Sequence, residues 1–223
     1  MLKILQYQHW HLLTLIGLAI LLSKVIHLDP TVLQGSWVLS TSQWLLLAFL
    51  IPVLHQVYVL LCWRSQLYYQ YITTTFGAKG YVLYKLGFAI LIALRPVTVL
   101  ALAYSNRSSL EMNQTMAILI SVLFGMISLY LAYSIRTYFG FDRAIGIDHF
   151  QPDRYRDMPL VKDGIFRFTP NAMYVFGFLA LWIPGLLLNS KAALYMAAFN
   201  HFYIWIHYFF TERPNMQVIY NSK

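Results

Sequence analysis

The amino-acid sequence predicts an all-α, polytopic transmembrane bundle of about six apolar helices, the last two of which form a C-terminal helical hairpin. Of the 223 residues, 59% are hydrophobic and only 11% are charged, a composition too apolar for a water-soluble domain of this length. The mean hydropathy is +0.58. Several apolar runs approach the roughly 20 residues that a helix needs to cross a hydrocarbon core of about 30 Å.

Six apolar segments follow one another along the chain. They cover residues 11–28, 44–61, 86–104, 116–133, 172–188 and 192–210. Only Asn189, Ser190 and Lys191 separate the last two, which are predicted to form a tight antiparallel hairpin that need not cross the whole bilayer. Pro184 removes a backbone donor from the first arm and is expected to bend it. Residues 1–223 are predicted to form one membrane domain, with its N-terminal spans in residues 1–139.

The formal net charge of +8 arises from Lys and Arg residues that lie mostly in the connections between apolar segments. The first connection carries none, whereas the fourth carries Arg136, Arg143, Arg154, Arg156, Lys162 and Arg167. By the positive-inside rule, this alternation places both termini, including Lys223, and the fourth connection in the cytosol. Topology therefore explains the charge, and no nucleic-acid partner is predicted. The compact chain with short loops favours a bacterial inner membrane over an endoplasmic reticulum.

The last apolar segment carries polar side chains that a lipid-facing helix would not gather. At about 100° per residue, one helical face holds His201, Trp205, Tyr208 and Glu212. A neighbouring stripe holds Asn200, His207 and Thr211. Ionisable groups at membrane depth are costly and mark functional sites by default, so the pattern predicts a buried polar pocket. Hydrogen bonding between helices, which would hold the bundle together, is the alternative interpretation.

A second polar group lies where the fourth connection meets the fifth segment. Arg167, Asn171 and Tyr174 follow one another there, beside a helix that is predicted to begin near Pro170. The free amides and positive dipole end of that helix, together with Arg167, are expected to bind a carboxylate or phosphate. The alternative is an arginine that reaches out to lipid headgroups. Gly177, about one turn after Tyr174, permits close approach of a ligand or helix.

The remaining reactive side chains receive simpler interpretations. His55, in the second segment, is interpreted as hydrogen-bonded or interfacial, and the position of His149 in the fourth connection is typical of a solvated side chain. The single cysteine, Cys62, excludes an intrachain disulfide and is expected to pack in the core. No metal site is predicted.

Two strings of residues carry a family resemblance. LVKDGIFRFTPNAMY covers residues 160–174, and NHFYIWIHYFFTERPNMQVIY covers residues 200–220. In this order and at this separation they resemble the membrane-embedded phospholipid methyltransferases and their relatives, the isoprenylcysteine carboxyl methyltransferases. The phosphatidylethanolamine N-methyltransferase type is the nearest. The resemblance covers residues 159–223, and the first four apolar segments contribute only hydropathy to it.

The resemblance implies a helical bundle that encloses S-adenosylmethionine at its cytosolic face and admits a lipid acceptor from the bilayer. Residues 140–223 would then form the cofactor-binding loop and the catalytic hairpin. The family's motif positions fall on Arg167, Asn171, Ala172, Tyr174 and Glu212. Gly177 and Tyr208 complete the predicted cofactor-binding set. The sequence departs from the family pattern where Asn171 replaces a histidine, Ala172 replaces a proline and Arg213 replaces a second glutamate.

The reaction that the resemblance implies is methyl transfer to an amine on a phospholipid headgroup, in particular that of phosphatidylethanolamine. A substrate ammonium must lose a proton before it can attack, and the candidate bases are Glu212 and His201. Asn200, Trp205 and His207 are predicted to contact the substrate. Three other functions stay open: methylation of an isoprenylcysteine or other lipophilic acceptor, an intramembrane reductase, and a transporter or assembly factor. The number of subunits is not predicted.

Overall fold

The computed structural model describes residues 3–220, and within them the chain is a bundle of helices. Lys223 therefore lies outside the described residues. Four helical stretches in this part of the chain are long and apolar enough to cross a membrane: Gln8–Leu28, Thr41–Tyr69, Tyr71–Ser105 and Gln114–Phe139. The all-α polytopic architecture is confirmed and the protein is an integral membrane protein, but the predicted count of six spanning helices is not confirmed.

The elements follow in a simple order. The α-helices are α1 Gln8–Leu28, α2 Thr41–Tyr69, α3 Tyr71–Phe76, α4 Gly80–Ser105, α5 Gln114–Ser134, α6 Phe141–Ile145, α7 Pro152–Tyr155, α8 Ala172–Phe176, α9 Ile183–Leu187, α10 Lys191–His207 and α11 Arg213–Ile219. A minimal antiparallel ladder pairs β1 Ser36–Trp37 with β2 Leu39–Ser40. Single 3₁₀ turns cover Pro30–Leu33, Gly77–Lys79, Ile147–His149, Gly164–Arg167 and Leu179–Trp182, and π turns cover Ile135–Phe139 and Tyr208–Glu212.

The hairpin turn marks one end of the bundle. Lys191 forms an ion pair of 2.7 Å with Asp29, which follows α1. The side-chain oxygen of Asn106, just after α4, accepts hydrogen bonds from the Ala192 amide at 3.0 Å and the Ser190 hydroxyl at 3.3 Å. The turn therefore docks on the ends of α1 and α4, and α10 with α11 runs the length of the bundle. We call this end the hairpin-turn end, and the opposite end the loop end.

The first arm of the hairpin is not one continuous helix. It consists of α8, a 3₁₀ turn and α9, which are all short. Pro184 lies in the first turn of α9, where its missing N–H has no helical acceptor to lose. The proline therefore stands at the start of a helix, and the predicted bend of the first arm stays a prediction. The second arm, α10, is regular, and its first turn is capped by the Ser190 hydroxyl.

The buried Arg64 ties the loop end together. Its guanidinium is 0% exposed and donates to the carbonyls of Ile4, Gln6 and Phe210 at 2.9, 2.6 and 2.8 Å. A fourth bond of 3.2 Å reaches the side-chain oxygen of Asn215. Arg64 thus joins the N-terminal segment, α2, the end of the second arm and α11, although it follows the second apolar segment in the sequence.

We expect Arg64→Met to lower the free energy of unfolding by about 3 kcal/mol, because four acceptors from three segments lose the bond to a fully buried donor. Thermal unfolding of the purified protein in detergent measures the change. Arg136→Met is the matched control, since Arg136 lies at the same end but is exposed. Equal stability of the two variants would contradict this role for Arg64.

Candidate active site

A cavity of about 190 Å³ lies between α2, α4, the 140–171 connection and both arms of the hairpin. Seven charged or imidazole side chains line it together with apolar and aromatic residues: His55, Arg95, Arg143, Asp148, His149, His207 and Glu212. Since charged and imidazole groups are rarely buried unless they are paired or functional, this cavity is the candidate active site.

The connection after α5 closes the loop end of the cavity by packing on Trp63. The Trp63 indole stacks on the His149 ring with 4.0 Å between centroids and an angle of 18°. Its N–H donates to the Tyr84 hydroxyl at 2.7 Å, which in turn donates to the Ile145 carbonyl at 2.6 Å. Gly146 has φ +97°, and a Cβ there would lie 2.5 Å from the indole. Only glycine therefore permits this contact.

Asp148 and His149 form a buried pair at the loop end. They are 7% and 2% exposed, and His149 Nδ1 lies 2.8 Å from Asp148 Oδ1. The other carboxylate oxygen accepts the Tyr220 hydroxyl at 2.8 Å, and Arg143 Nε donates to that hydroxyl at 3.3 Å. Burial by itself raises the pKa of Asp148, yet His149, Tyr220 and Arg143 together hold it below its ordinary value. The carboxylate is thus ionised at neutral pH and orients the imidazole.

Four of the predicted site residues line the cavity: Asn171, Tyr174, His207 and Glu212. The Tyr174 hydroxyl, on α8, donates to Glu212 Oε2 and so joins the two arms. His207 is 2% exposed, and neither of its ring nitrogens has a partner among the described residues. Trp205 and Tyr208 do not line the cavity, but their rings pack against Tyr174 at centroid distances of 5.9 and 5.2 Å.

The π turn Tyr208–Glu212 explains why His207 and Glu212 both line the cavity. In a regular α-helix, each residue turns by about 100°, so the five residues from His207 to Glu212 would leave the two side chains about 140° apart around the helix axis. The wider π turn, whose bonds join residues five apart, brings both to the cavity wall. The single face predicted for His201 to Glu212 assumed a regular helix and was wrong, because Glu212 lines the cavity and His201 does not.

The other predicted residues lie outside the cavity wall. His201 Nδ1 accepts from the Trp182 indole at 3.4 Å, between the two arms. The Asn200 amide donates to the Met196 carbonyl at 2.9 Å within α10. Arg167 is exposed, with its guanidinium 4.8 Å from the centre of the Phe168 ring. A Cβ on Gly177 would lie 3.3 Å from Leu131 Cδ2, so this glycine allows α8 and α5 to approach closely.

Several cavity residues were not expected from the sequence. His149 was interpreted as solvated but is buried, because the Asp148 carboxylate and the Trp63 ring enclose it. Its adjacency to an aspartate in a polar connection carried no sequence signal for burial. The sequence did carry a signal for Arg95, since a lone charge inside the 86–104 apolar segment marks a functional position. His55 is 3% exposed and has no partner on either nitrogen in the described part of the chain.

Comparison with known proteins bears on this site. The family model described as phospholipid methyltransferase matches residues 116–223. Searches of curated proteins and of solved structures find no match. The matched region contains α5, the connection with Asp148 and His149, and both arms with Tyr174 and Glu212, whereas α2 and α4 precede it. The resemblance seen in the sequence is confirmed over residues 116–223, which match the model of the phospholipid methyltransferases, a family of methyltransferases.

Proposed function

We propose that the protein transfers a methyl group from S-adenosylmethionine to the amine of a membrane phospholipid headgroup, with phosphatidylethanolamine as the acceptor. The observation that carries this proposal is the acidic and aromatic loop end of the cavity, where Asp148, Tyr174 and Glu212 lie inside the family-matched region and Trp63 precedes it. Asp148 and Glu212 supply negative charge there, and Tyr174 and Trp63 supply ring faces. Both features attract sulfonium and ammonium cations, which are the charged groups of the proposed donor and acceptor.

The cavity residues fit S-adenosylmethionine chemically. Buried polar atoms in proteins are almost always hydrogen-bonded, yet four cavity residues have polar atoms that lack a partner within residues 3–220: His55, Arg95, His149 and His207. A donor with a carboxylate, a ribose and an adenine could satisfy such atoms. We propose that Asn171, Tyr174 and Glu212 hold this cofactor, with Tyr208 and Trp205 fixing the Tyr174 ring from behind. Arg167 is exposed and is proposed to meet lipid phosphates instead.

When bound, S-adenosylmethionine supplies a methyl carbon that forms a bond to the headgroup nitrogen as its bond to sulfur breaks and leaves the electron pair on sulfur. The protein must hold the headgroup and take up a proton. We propose that Glu212 provides the negative charge beside the cationic groups. His149 is the proposed proton acceptor, because Asp148 accepts from its Nδ1–H and leaves the Nε2 lone pair free at the cavity wall. His201, the imidazole predicted from sequence, is proposed to orient the two arms.

The orientation in the membrane follows the distribution of charge. Lys3, Arg64, Lys79, Lys85 and the Arg residues of the 134–170 connection belong to the loop end, whereas Lys24, Arg107 and Lys191 lie at the hairpin-turn end. We propose that the loop end faces the cytosol, in a bacterial inner membrane. One membrane domain over residues 1–223 is retained in this proposal. The spans before residue 140 would contribute the deep wall of the cavity, and residues 140–223 would bind the cofactor.

We expect Asp148→Asn to lower kcat/KM at least about 10-fold. An amide can present an N–H to Nδ1 of His149 and so select the tautomer that carries its proton on Nε2, where a lone pair is needed. Asp153→Asn is the control, since Asp153 lies in the same connection but its side chain is 88% exposed. Initial rates with labelled donor measure the effect, and full activity of Asp148→Asn would remove His149 from the mechanism.

Isothermal titration calorimetry with S-adenosylhomocysteine tests the donor. The purified protein in neutral detergent is expected to bind one equivalent, and Tyr174→Ala, which removes the ring between the arms, is expected to bind it at least about 10-fold more weakly. Absence of binding to the wild-type protein, with the bundle intact by circular dichroism, would overturn the methyltransferase proposal. Titration with NADPH in the same instrument examines the reductase alternative.

A further inference from the structure

The deep end of the cavity holds a buried arginine halfway through the bundle. Arg95 lies on α4 and is 2% exposed. Ten residues before it, Lys85 pairs with Asp142 of the connection at 3.2 Å, and ten residues after it α4 ends at Ser105. At 1.5 Å per residue, Arg95 is about 15 Å along the helix axis from both Lys85 and Ser105. A guanidinium at this depth is costly unless something compensates its charge.

Nothing in the described part of the chain compensates it fully. No Asp or Glu between residues 3 and 220 forms an ion pair with Arg95. One guanidinium nitrogen donates to the Pro52 carbonyl at a long 3.4 Å, the Phe178 ring lies 5.6 Å away, and Nε has no partner. Arg64, which is also buried, makes four hydrogen bonds to protein atoms. The remaining donors of Arg95 are therefore free to bind a ligand.

Two unpartnered imidazoles share the cavity wall with this guanidinium. His55, on α2, and His207, on α10, are 3% and 2% exposed, and all four of their ring nitrogens lack a partner among the described residues. The apolar lining near them includes Phe88, whose ring centroid lies 4.7 Å from that of His55. Each neutral imidazole can donate one N–H. Arg95 and the two histidines thus present several donors to one cavity without a protein acceptor.

We propose that Arg95, His55 and His207 form an oxyanion-binding site at the deep end of the cavity. The acidic residue Glu212 follows His207 by a single π turn and lines the same cavity as Arg95, so the proposed ligand is one small zwitterion that lies along this wall. Its cationic group would lie beside Glu212, and its phosphate or carboxylate would accept hydrogen bonds from Arg95. A guanidinium fork suits both oxyanions. The proposal rests on the proposed function for the identity of the ligand, which is either the lipid phosphate or the cofactor carboxylate.

A purely structural arginine makes a different prediction. If Arg95 held the helices together, Arg95→Met would destabilise the ligand-free protein. If instead the Arg95 charge is compensated only when a ligand anion binds, Arg95→Met removes an uncompensated buried charge from the ligand-free protein. That protein, in neutral detergent, should then unfold at the same or a higher temperature than the wild type. Ligand-dependent stabilisation should then be lost. Thermal unfolding therefore separates the two roles without any measurement of turnover.

Two matched ligand pairs identify the anion. S-adenosylhomocysteine is compared with its decarboxylated analogue, and lysophosphatidylethanolamine with an acyl ester of ethanolamine, which keeps the ammonium but lacks the phosphate. In the wild-type protein, we expect the compound that carries the carboxylate or phosphate to bind at least about tenfold more tightly than its partner in one of the two pairs. In Arg95→Met this preference should vanish. Arg107→Met, which changes an exposed arginine at the hairpin-turn end, should retain it.

The outcomes are distinct. A preference confined to the first pair assigns the site to the cofactor carboxylate, and one confined to the second assigns it to the lipid phosphate. If the wild-type protein shows no preference in either pair, or if Arg95→Met keeps the wild-type preference or loses stability without ligand, the oxyanion site is refuted. If S-adenosylhomocysteine does not bind at all, the proposed function fails, while the lysolipid pair still decides the oxyanion site.

Discussion

Replacing Glu212 by glutamine is expected to lower kcat/KM about a thousandfold while the bundle remains folded, since removal of one preorganised charged group from an active site typically has this effect. Glu212 is the carboxylate that the π turn brings to the cavity wall on α10's extension, beside Tyr174. The amide oxygen of glutamine can still accept the Tyr174 hydroxyl, so packing between the arms should survive. Loss of the negative charge should weaken binding of the cationic groups that react.

Radiolabelled methyl transfer in lipid nanodiscs measures this effect, and thermal unfolding checks the fold. Glu111→Gln is the matched control, because Glu111 is exposed in the connection before α5, at the hairpin-turn end. It should keep at least half of the wild-type rate. If Glu212→Gln retained full methyl-transfer activity, Glu212 would have no part in the reaction.

Replacing His149 by glutamine is expected to lower kcat/KM about a hundredfold, which is the lower range for loss of a general base. Glutamine keeps a polar side chain of similar length against Trp63 but cannot take up a proton at neutral pH. Loss of the proton acceptor should therefore appear as a lower initial rate at a fixed neutral pH.

His201→Gln provides the comparison for His149. His201 lies between the two arms and outside the cavity wall, so its substitution should change kcat/KM by less than about threefold. Initial rates of both variants at one neutral pH, measured with a single batch of phosphatidylethanolamine nanodiscs, decide between the imidazoles. A large loss in His201→Gln together with a normal His149→Gln would reverse the assignment.

Hydropathy predicted the long spans because membrane helices must be continuous apolar stretches, and α1, α2, α4 and α5 are. The predicted count of six spanning helices is not confirmed because of the hairpin, and the reason is physical. Residues 172–188 are apolar enough for a span, but the segment folds as α8, a 3₁₀ turn and α9. Composition measures how apolar a segment is, whereas continuity depends on local backbone geometry and on packing against α5.

The candidate site was predictable in part. Tyr174 and Glu212 were selected from polar residues on the two arms, and they contact each other in the structure. Periodicity could not show that a π turn shifts the helix face after His207, because the turn depends on hydrogen bonds rather than on side-chain type. Nor could it show that the Asp148–His149 pair folds back onto Trp63, since that contact joins residues far apart in sequence.

The measurement that tests the central claim most directly is methyl transfer to lipid. Purified protein in nanodiscs that contain phosphatidylethanolamine and phosphatidylglycerol is incubated with methyl-labelled S-adenosylmethionine, and the lipids are analysed by mass spectrometry. The account predicts label on the ethanolamine nitrogen, none on phosphatidylglycerol, and loss of label with Glu212→Gln. Binding of S-adenosylhomocysteine without label on any phospholipid, including those of a total membrane extract, would contradict a phospholipid headgroup as the acceptor.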